Sequence, residues 1–127
     1  MDIIWQYFTE MKGIFMDKMI EESVAILFCH RMNGKDLNRE RAVFCRFIQQ
    51  DFNCKCSEAN ELLDRTIDQD YNIDTHISII NNALHNEVYS KMSILKQLNH
   101  LMHKSNIRTE DYEFFEKVKK SFFASLR

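Results

Sequence analysis

The chain has no proline, and Gly13 and Gly34 are its only glycines among 127 residues. Turns between strands and long ordered loops depend on these two residue types, whereas a helix interior excludes proline and disfavours glycine. Hydrophobic residues make up 45% of the chain and charged residues 28%, which is ordinary globular usage. The sequence therefore predicts an all-α fold, a compact single-domain bundle of about six to seven helices over residues 1–127.

Residues 1–18 are predicted to form an N-terminal helical segment that precedes a core bundle at residues 19–124. An approximate helical stripe is formed by Ile4, Trp5, Phe8, Met11 and Phe15. Gly13 is the expected break or kink within this segment. We expect the segment to pack across the bundle. The alternative is a detachable amphipathic arm that binds a partner.

A helical hairpin is predicted at residues 20–52. The first helix is expected to be largely buried, because one face carries Ile20, Val24, Leu27, Phe28 and Arg31. Gly34 is placed to end that helix, since a residue after the last turn often needs a positive φ. Asn38 is the expected N-cap of the second helix. The apolar face of the second helix is formed by Val43, Phe44, Phe47, Ile48 and Phe52.

A second hairpin of similar design is predicted near the C-terminus. Its first helix runs through Val88, Met92, Leu95, Leu98 and Met102. Thr109 begins the last helix, and the predicted inward face is Phe115, Val118 and Phe122, widened by Phe114 and Phe123. Two shorter helices, capped by Ser57 and Asp74, join the hairpins. The matching order of helix, polar turn and Phe-rich helix predicts two helix-turn-helix hairpins in a pseudo-twofold arrangement.

The net charge is −2 and the isoelectric point is about 6.2, so the chain has no overall positive field for a nucleic acid backbone. We therefore expect no nucleic acid partner. The alternative is DNA binding by a helix at residues 39–50, which carries Arg39, Arg41, Arg46, Gln49 and Gln50. No cationic leader starts the sequence, and the apolar runs are too short to cross a bilayer. A cytoplasmic protein without a transmembrane segment is the expectation.

The sharpest local charge imbalance lies at residues 58–74, where six carboxylates accompany the single cation Arg65. An exposed cluster of this kind is either a solvated face or a surface that binds a partner. The predicted surface for a protein partner is Glu58, Glu61, Asp64 and Asp68. We refer to these four residues as the acidic surface.

A weak divalent-cation site is predicted at Asp68, Asp70, Asn72 and Asp74. Their oxygens alternate along the chain like the ligands that open a calcium loop. The EF-hand pattern is incomplete, because its sixth position is Ile73 and its twelfth is Ile79. A solvated connection between helices, with Asp74 as a cap, is the competing interpretation.

The donor types of a zinc site are present in Cys54, Cys56, His100 and His103. The two histidines share a helix face, but the C-x-C spacing departs from the usual knuckle and nothing in the sequence joins the two pairs. We interpret the thiols as reduced and the histidines as surface residues. The sequence has no phosphate-binding glycine loop, nucleophile elbow or H-E-x-x-H motif, so no catalytic activity is predicted.

The repeat of an apolar helix, a polar turn and a helix with an acid in its first turns resembles the tellurite-resistance TerB-like domain family. The resemblance covers residues 21–123, and this all-helical family also occurs fused to a DnaJ-type co-chaperone module. In the family, each turn reads Asp-Gly, then an apolar residue and then Glu. Here the turns read Asn33-Gly34 with Leu37 and Glu40, and Lys104-Ser105 with Ile107 and Glu110 or Asp111. Both leading aspartates are absent, so the resemblance implies the fold, and the acidic metal-linked surface of the family is not carried over to these turns.

The sequence thus predicts a non-enzymatic helical interaction domain that acts through a protein partner. The resemblance implies a role in a stress-associated or envelope-associated pathway. Weak divalent-metal binding through residues 58–74 and helix-turn-helix DNA binding are the two alternatives. No cofactor is expected beyond that cation, and the sequence is compatible with a homodimer.

Overall fold

Six α-helices make up the part of the chain that the structure, a computed structural model, describes: residues 16–32, 37–102 and 109–124. A 3-10 turn at Lys18–Ile20 leads into α1 (Glu21–Met32), α2 (Leu37–Phe52), α3 (Cys56–Thr66), α4 (Ile73–Ala83), α5 (Val88–Met102) and α6 (Thr109–Phe123). These ranges contain no strand, which confirms the predicted all-α bundle. None of the six helices is long and apolar enough to cross a membrane. The predicted stripe up to Phe15, the Gly34 turn and His103 lie outside the described residues.

Helix α1 lies at the centre of the bundle, where it packs against α2, α3, α4 and α5. Its predicted face is confirmed as buried, with exposure of 1% or less at Ile20, Val24, Leu27, Phe28 and Arg31. Ala25 and Cys29, on another side of the helix, are buried as well. A helix that is covered all round is expected to be apolar all round. The buried charge of Arg31 therefore requires a partner.

One hydrophobic core joins the two halves of the chain. It receives side chains from all six helices. The ring of Phe28 lies 6.1 Å from the ring of Phe44 and 6.0 Å from the ring of Phe47, between centroids. Aromatic pairs at this separation are favourable beyond their buried area. These phenylalanines thus hold α1 against α2 within the first hairpin.

The hairpins α1–α2 and α5–α6 contact each other in a reciprocal way. The ring of His30, near the end of α1, lies 4.4 Å from the ring of Phe114 on α6. The ring of His100, near the end of α5, lies 5.6 Å from the ring of Phe47 on α2. Aligning the hairpins on these two histidines pairs buried residues of α2 and α6: Phe44 with Phe114, Ile48 with Val118, and Phe52 with Phe122. The matched buried positions fit the predicted pseudo-twofold arrangement, whereas the histidine contacts differ, because His100 contacts Phe47 and the counterpart of Phe114 is Phe44.

Two of the predicted helix caps are wrong. The Glu58 side chain accepts a 2.8 Å hydrogen bond from the backbone amide of Lys55, which is the N-cap of α3. Ser57 therefore lies inside the helix, because a glutamate in the first turn satisfies the free amide instead. Helix α2 already includes Leu37, so Asn38 also lies inside a helix.

The inward face of α6 consists of Phe114, Val118 and Phe122. The prediction placed Phe115 at the centre of this face and Phe114 at its edge, and the structure reverses the two. The doublets at 114–115 and 122–123 fit two adjacent helical faces, so their spacing alone does not select one. Phe115 and Phe123 are half-buried beside α5, where Met92 is 47% exposed.

Candidate functional site

The three carboxylates of the predicted cation site form no metal-binding group. Asn72 is the N-cap of α4, and its Oδ1 accepts hydrogen bonds from the backbone amides of residues 74 and 75, at 3.0 and 3.4 Å. Asp74 lies in the first turn, so its prediction as the cap is wrong, and its carboxylate pairs with Lys117 of α6. Asp68 and Asp70 are exposed. Across the described ranges, no three carboxylate, imidazole or thiol groups are placed to hold a metal.

Two residues of the acidic surface form hydrogen bonds within the fold. Glu58 accepts the backbone amide that begins α3. Asp64 accepts a 2.7 Å hydrogen bond from Nη2 of Arg41, which joins α3 to α2. Glu61 and Asp68 are exposed. Two of the four carboxylates therefore have partners within the fold, and all four are exposed.

The predicted zinc donors have separate environments. All four cysteines carry free thiols, with Cys54 half-buried and Cys56 exposed. Burial raises the pKa of the Cys54 thiol, which disfavours the thiolate that a metal requires. His100 packs its ring against Phe47, and His103 lies outside the described residues. Within the described ranges, Cys54, Cys56 and His100 therefore form no common metal site.

The predicted DNA-reading helix is α2, and two of its cations have partners within the fold. Arg41 donates to Asp64 and also, through Nη1, to Asn60 at 3.0 Å. Arg46 lies over the ring of Phe47, with 5.4 Å from its Cζ to the ring centroid. The Arg41 contacts hold α2 against α3 and the Arg46 contact lies within α2; together they leave a narrower basic face than the sequence alone indicates.

A buried ion pair joins α1 to α6. Nη1 of Arg31 lies 2.6 Å from Oδ1 of Asp111, and the two side chains are 1% and 4% exposed. The pair links the end of α1 to the first turn of α6. Removing water from both charges is costly, so the pair fixes the arrangement of these helices more than it adds net stability.

A buried lysine ties α5 to the end of α6. Nζ of Lys91, a residue that is 1% exposed, donates to the backbone oxygen of Phe122 at 2.7 Å and to that of His85 at 3.4 Å. The last carbonyls of a helix have no partner within the helix, and a cation there also suits the helix dipole. Burial lowers the pKa of Lys91. The residue therefore has a structural role at the C-terminal end of α6.

A buried carboxyl lies at the junction of α2 and α5. Oδ1 of Asp51 accepts a 2.9 Å hydrogen bond from Nε2 of Gln97. The backbone oxygen of Asp51 accepts from the amide of Met16, so the start of the described chain is held there. Among the residues that the structure describes, Oδ2 of Asp51 and Oε1 of Gln97 have no hydrogen-bond partner, and both atoms are buried. Burial raises the pKa of Asp51 from 3.8 to about 6, although the hydrogen bond from Gln97 acts in the opposite direction.

A groove of about 430 Å³ lies between α5 and α6. Its described lining residues are Met92, Leu95, Lys96, Asn99, Phe115, Lys119 and Phe123. They all belong to these two helices, and most of the wall is apolar. The volume is within the range of pockets that bind ligands. Partly exposed apolar side chains that share a concave surface commonly mark a binding site.

The corresponding groove of the first hairpin is filled by α3. The histidine alignment pairs Cys29 with Asn99 and Gln49 with Lys119. Oγ1 of Thr66, at the end of α3, lies 3.2 Å from Sγ of Cys29. With the Gln49 amide group oriented to satisfy its neighbours, its side-chain oxygen accepts from the backbone amide of Cys56, at the start of α3, at 3.2 Å. Helix α3 therefore packs on both α1 and α2, with its N-terminus at Gln49 and its C-terminus at Cys29.

Matched positions of the two grooves consequently differ in exposure. Cys45 of α2 is 5% exposed, whereas its counterpart Phe115 is only half-buried. Met92 and Phe123 add further partly exposed apolar surface. Within the described ranges, no helix takes the place of α3 on the α5–α6 hairpin.

The α5–α6 groove also carries positive charge on each wall. Lys96 lies on α5 and Lys119 lies on α6, and both are exposed. Their counterparts in the first hairpin are the neutral Ile26 and Gln49. The chain as a whole has a net charge of −2, so this local positive charge is a property of the groove.

Comparisons with family models, with curated proteins and with solved structures give no match for this chain. The groove is therefore defined by its geometry alone. Sequence reasoning missed the groove because Phe115 was placed at the centre of the inward face of α6. The phenylalanine doublets of α6 were the signal, since a helix with two apolar faces needs cover on both.

Proposed function

We propose that this chain is a non-enzymatic, protein-binding helical domain that takes an amphipathic helix of a partner in the groove between α5 and α6. The observation that carries the proposal is the position of α3 on the first hairpin. A helix fills the corresponding groove there, and the buried face of that helix is Ala59, Leu62, Leu63 and Thr66. This spacing is typical of helices that bind in grooves.

Burial of apolar surface supplies the driving force. Met92, which is 47% exposed, and the half-buried Phe115 and Phe123 lose contact with water when a helix covers them. Each square ångström of apolar surface removed from water contributes about 25 cal/mol. A side chain such as Met92 at the mouth of the groove is therefore expected to affect affinity strongly.

The TerB-like relationship and a stress-associated role stay proposals. The all-α order of the described helices is compatible with the relationship. The acidic surface supports a protein partner less well than the groove does, because Glu58 and Asp64 already have partners within the fold.

The test uses a surrogate helix that the chain itself provides. A fluorescent peptide of residues 55–69, with Ser in place of Cys56 and Lys in place of Arg65, is held helical by a lactam between positions 61 and 65, which are exposed in α3. Its anisotropy is measured against the full chain and two variants. We expect Met92→Glu to weaken binding by about tenfold or more, because a charge replaces a buried contact.

The matched control is Tyr89→Glu. Tyr89 is 86% exposed on the same helix and is not part of the groove wall, so this variant is expected to bind like the unmodified chain. Equal weakening by both variants, or no binding of the peptide at all, would contradict the proposed function. Circular dichroism of both variants checks that the helices are retained.

A further inference from the structure

The polar groups of the α5–α6 groove are placed at defined points along it. Lys96 and Lys119 flank the groove on opposite walls, and Asn99 lies one turn beyond Lys96 on α5. Phe115 lies one turn before Lys119 on α6. The groove therefore has two distinguishable ends, and a bound helix has a preferred direction if its own charges are unevenly distributed.

From this arrangement we infer that the partner helix is acidic and docks in one direction, with its N-terminus at Lys119, its C-terminal end at Asn99 and carboxylates in its first turn. The inference rests on the proposed function, since it specifies the occupant of the same groove. The direction follows α3, which begins at Gln49 and ends at Cys29, the counterparts of Lys119 and Asn99.

The requirement for carboxylates follows from one difference between the two grooves. The N-terminus of a helix carries a partial positive charge of about half a unit. A neutral Gln49 receives it in the first hairpin, whereas Lys119 would repel it in the second. Carboxylates in the first turn of the partner helix attract Lys119 and also suit the dipole of their own helix.

The α5 wall of the groove also favours an acidic partner helix. Lys96 replaces the buried Ile26 of the first hairpin, so the bound helix meets a cation on its other flank as well. Glu116 is the acidic residue next to the groove on α6, and it is three positions from Lys119. One carboxylate beside two lysines leaves a net positive groove, which complements an apolar stripe with acidic flanks.

The experiment compares two peptides and three forms of the full chain. The peptides are helices of about 15 residues with leucines at i, i+3, i+4 and i+7, stapled because short helices are marginal alone. One peptide has two glutamates in the first turn, and the other has two lysines there. The chain is used unmodified, as Lys119→Glu, and as the matched control Lys120→Glu, an exposed position outside the groove wall.

We expect the unmodified chain to bind the glutamate peptide about tenfold more tightly than the lysine peptide, which is about 1.4 kcal/mol. Lys119→Glu should invert this preference, and Lys120→Glu should keep it. A nitroxide at the N-terminus of the glutamate peptide should broaden the amide signals near Lys119, and one at its C-terminus should broaden those near Asn99.

The outcomes separate the inference from the proposed function. Binding of both peptides with equal affinity, or broadening in the reverse order, overturns the acidic, directional partner and leaves the groove as a binding site. Failure of both peptides to bind overturns the proposed function and the inference with it. A dimer of the unmodified chain that Met92→Glu dissociates in sedimentation experiments assigns the groove to a second copy and also overturns the inference.

Discussion

Replacing Asp51 with asparagine should stabilise this protein at neutral pH. Asp51 is 6% exposed at the junction of α2 and α5, and burial raises the pKa of its carboxyl from 3.8 to about 6. The folded protein therefore holds the Asp51 proton more tightly than the unfolded chain does. Stability is lost as the pH rises from about 4 to about 6, because the unfolded chain releases the proton first.

The size of the effect follows from the two pKa values. A difference of about two pH units corresponds to about 3 kcal/mol at 1.36 kcal/mol per unit. An asparagine carries no charge, so the cost of burying an ionised carboxylate is absent from the variant. The Asp51→Asn variant should therefore equal the unmodified chain near pH 4 and exceed its stability by about 3 kcal/mol near pH 7.5.

Urea unfolding followed by circular dichroism, repeated between pH 4 and pH 7.5, measures this difference directly. The control is Asp68→Asn, which removes an exposed carboxylate and should change the unfolding free energy only by a small amount. The reasoning is refuted if the Asp51→Asn difference is constant across this range, or if the variant is less stable at pH 7.5.

Substitutions at three sites test the buried ion pair, the buried lysine and the N-cap of α4. Arg31→Met should cost about 3–5 kcal/mol in urea unfolding because it leaves the buried Asp111 charge without the guanidinium, and Arg31→Met with Asp111→Leu should recover most of that loss. Lys91→Met should cost about 1–3 kcal/mol and speed hydrogen exchange at the end of α6, where its Nζ caps a carbonyl. Asn72→Ala should lower the unfolding free energy by about 1 kcal/mol and Asn72→Asp by much less, since only alanine removes the cap of α4. Equal stability of the single and double variants, unchanged exchange in α6, or equal effects at Asn72 would contradict the respective assignments.

Helical periodicity in the sequence was sufficient to predict which residues form the buried faces of the first hairpin. The spacing put Arg31 on the buried face of α1, and the structure places it there. Its partner Asp111 could not be predicted from the sequence, because it lies 80 positions further along the chain and only tertiary packing brings the two residues together. The cap of α4 was missed for a local reason: Asn72 and Asp74 are both good caps, and their order along the chain does not decide between them.

The groove could not be predicted because its recognition depends on which of two adjacent faces of α6 turns inward. The doublet at 114–115 supports both choices, and the contact of Phe114 with His30 decides between them. When Phe114 faces the core, the adjacent Phe115 lies on the α5 side of α6. There it lines the groove together with Met92 and Leu95. The correspondence with α3 then needs the structure of the first hairpin, since the sequences of the two grooves differ at most positions.

The most direct test of the central claim is a nuclear magnetic resonance titration of the 15N-labelled chain with the stapled peptide that carries glutamates in its first turn. Binding in the groove predicts that the largest amide shifts are at Met92, Lys96, Phe115 and Lys119, and that Met92→Glu abolishes them. Largest shifts at Glu61 and Asp68, with the groove amides unchanged, would contradict the claim and assign partner binding to the acidic surface.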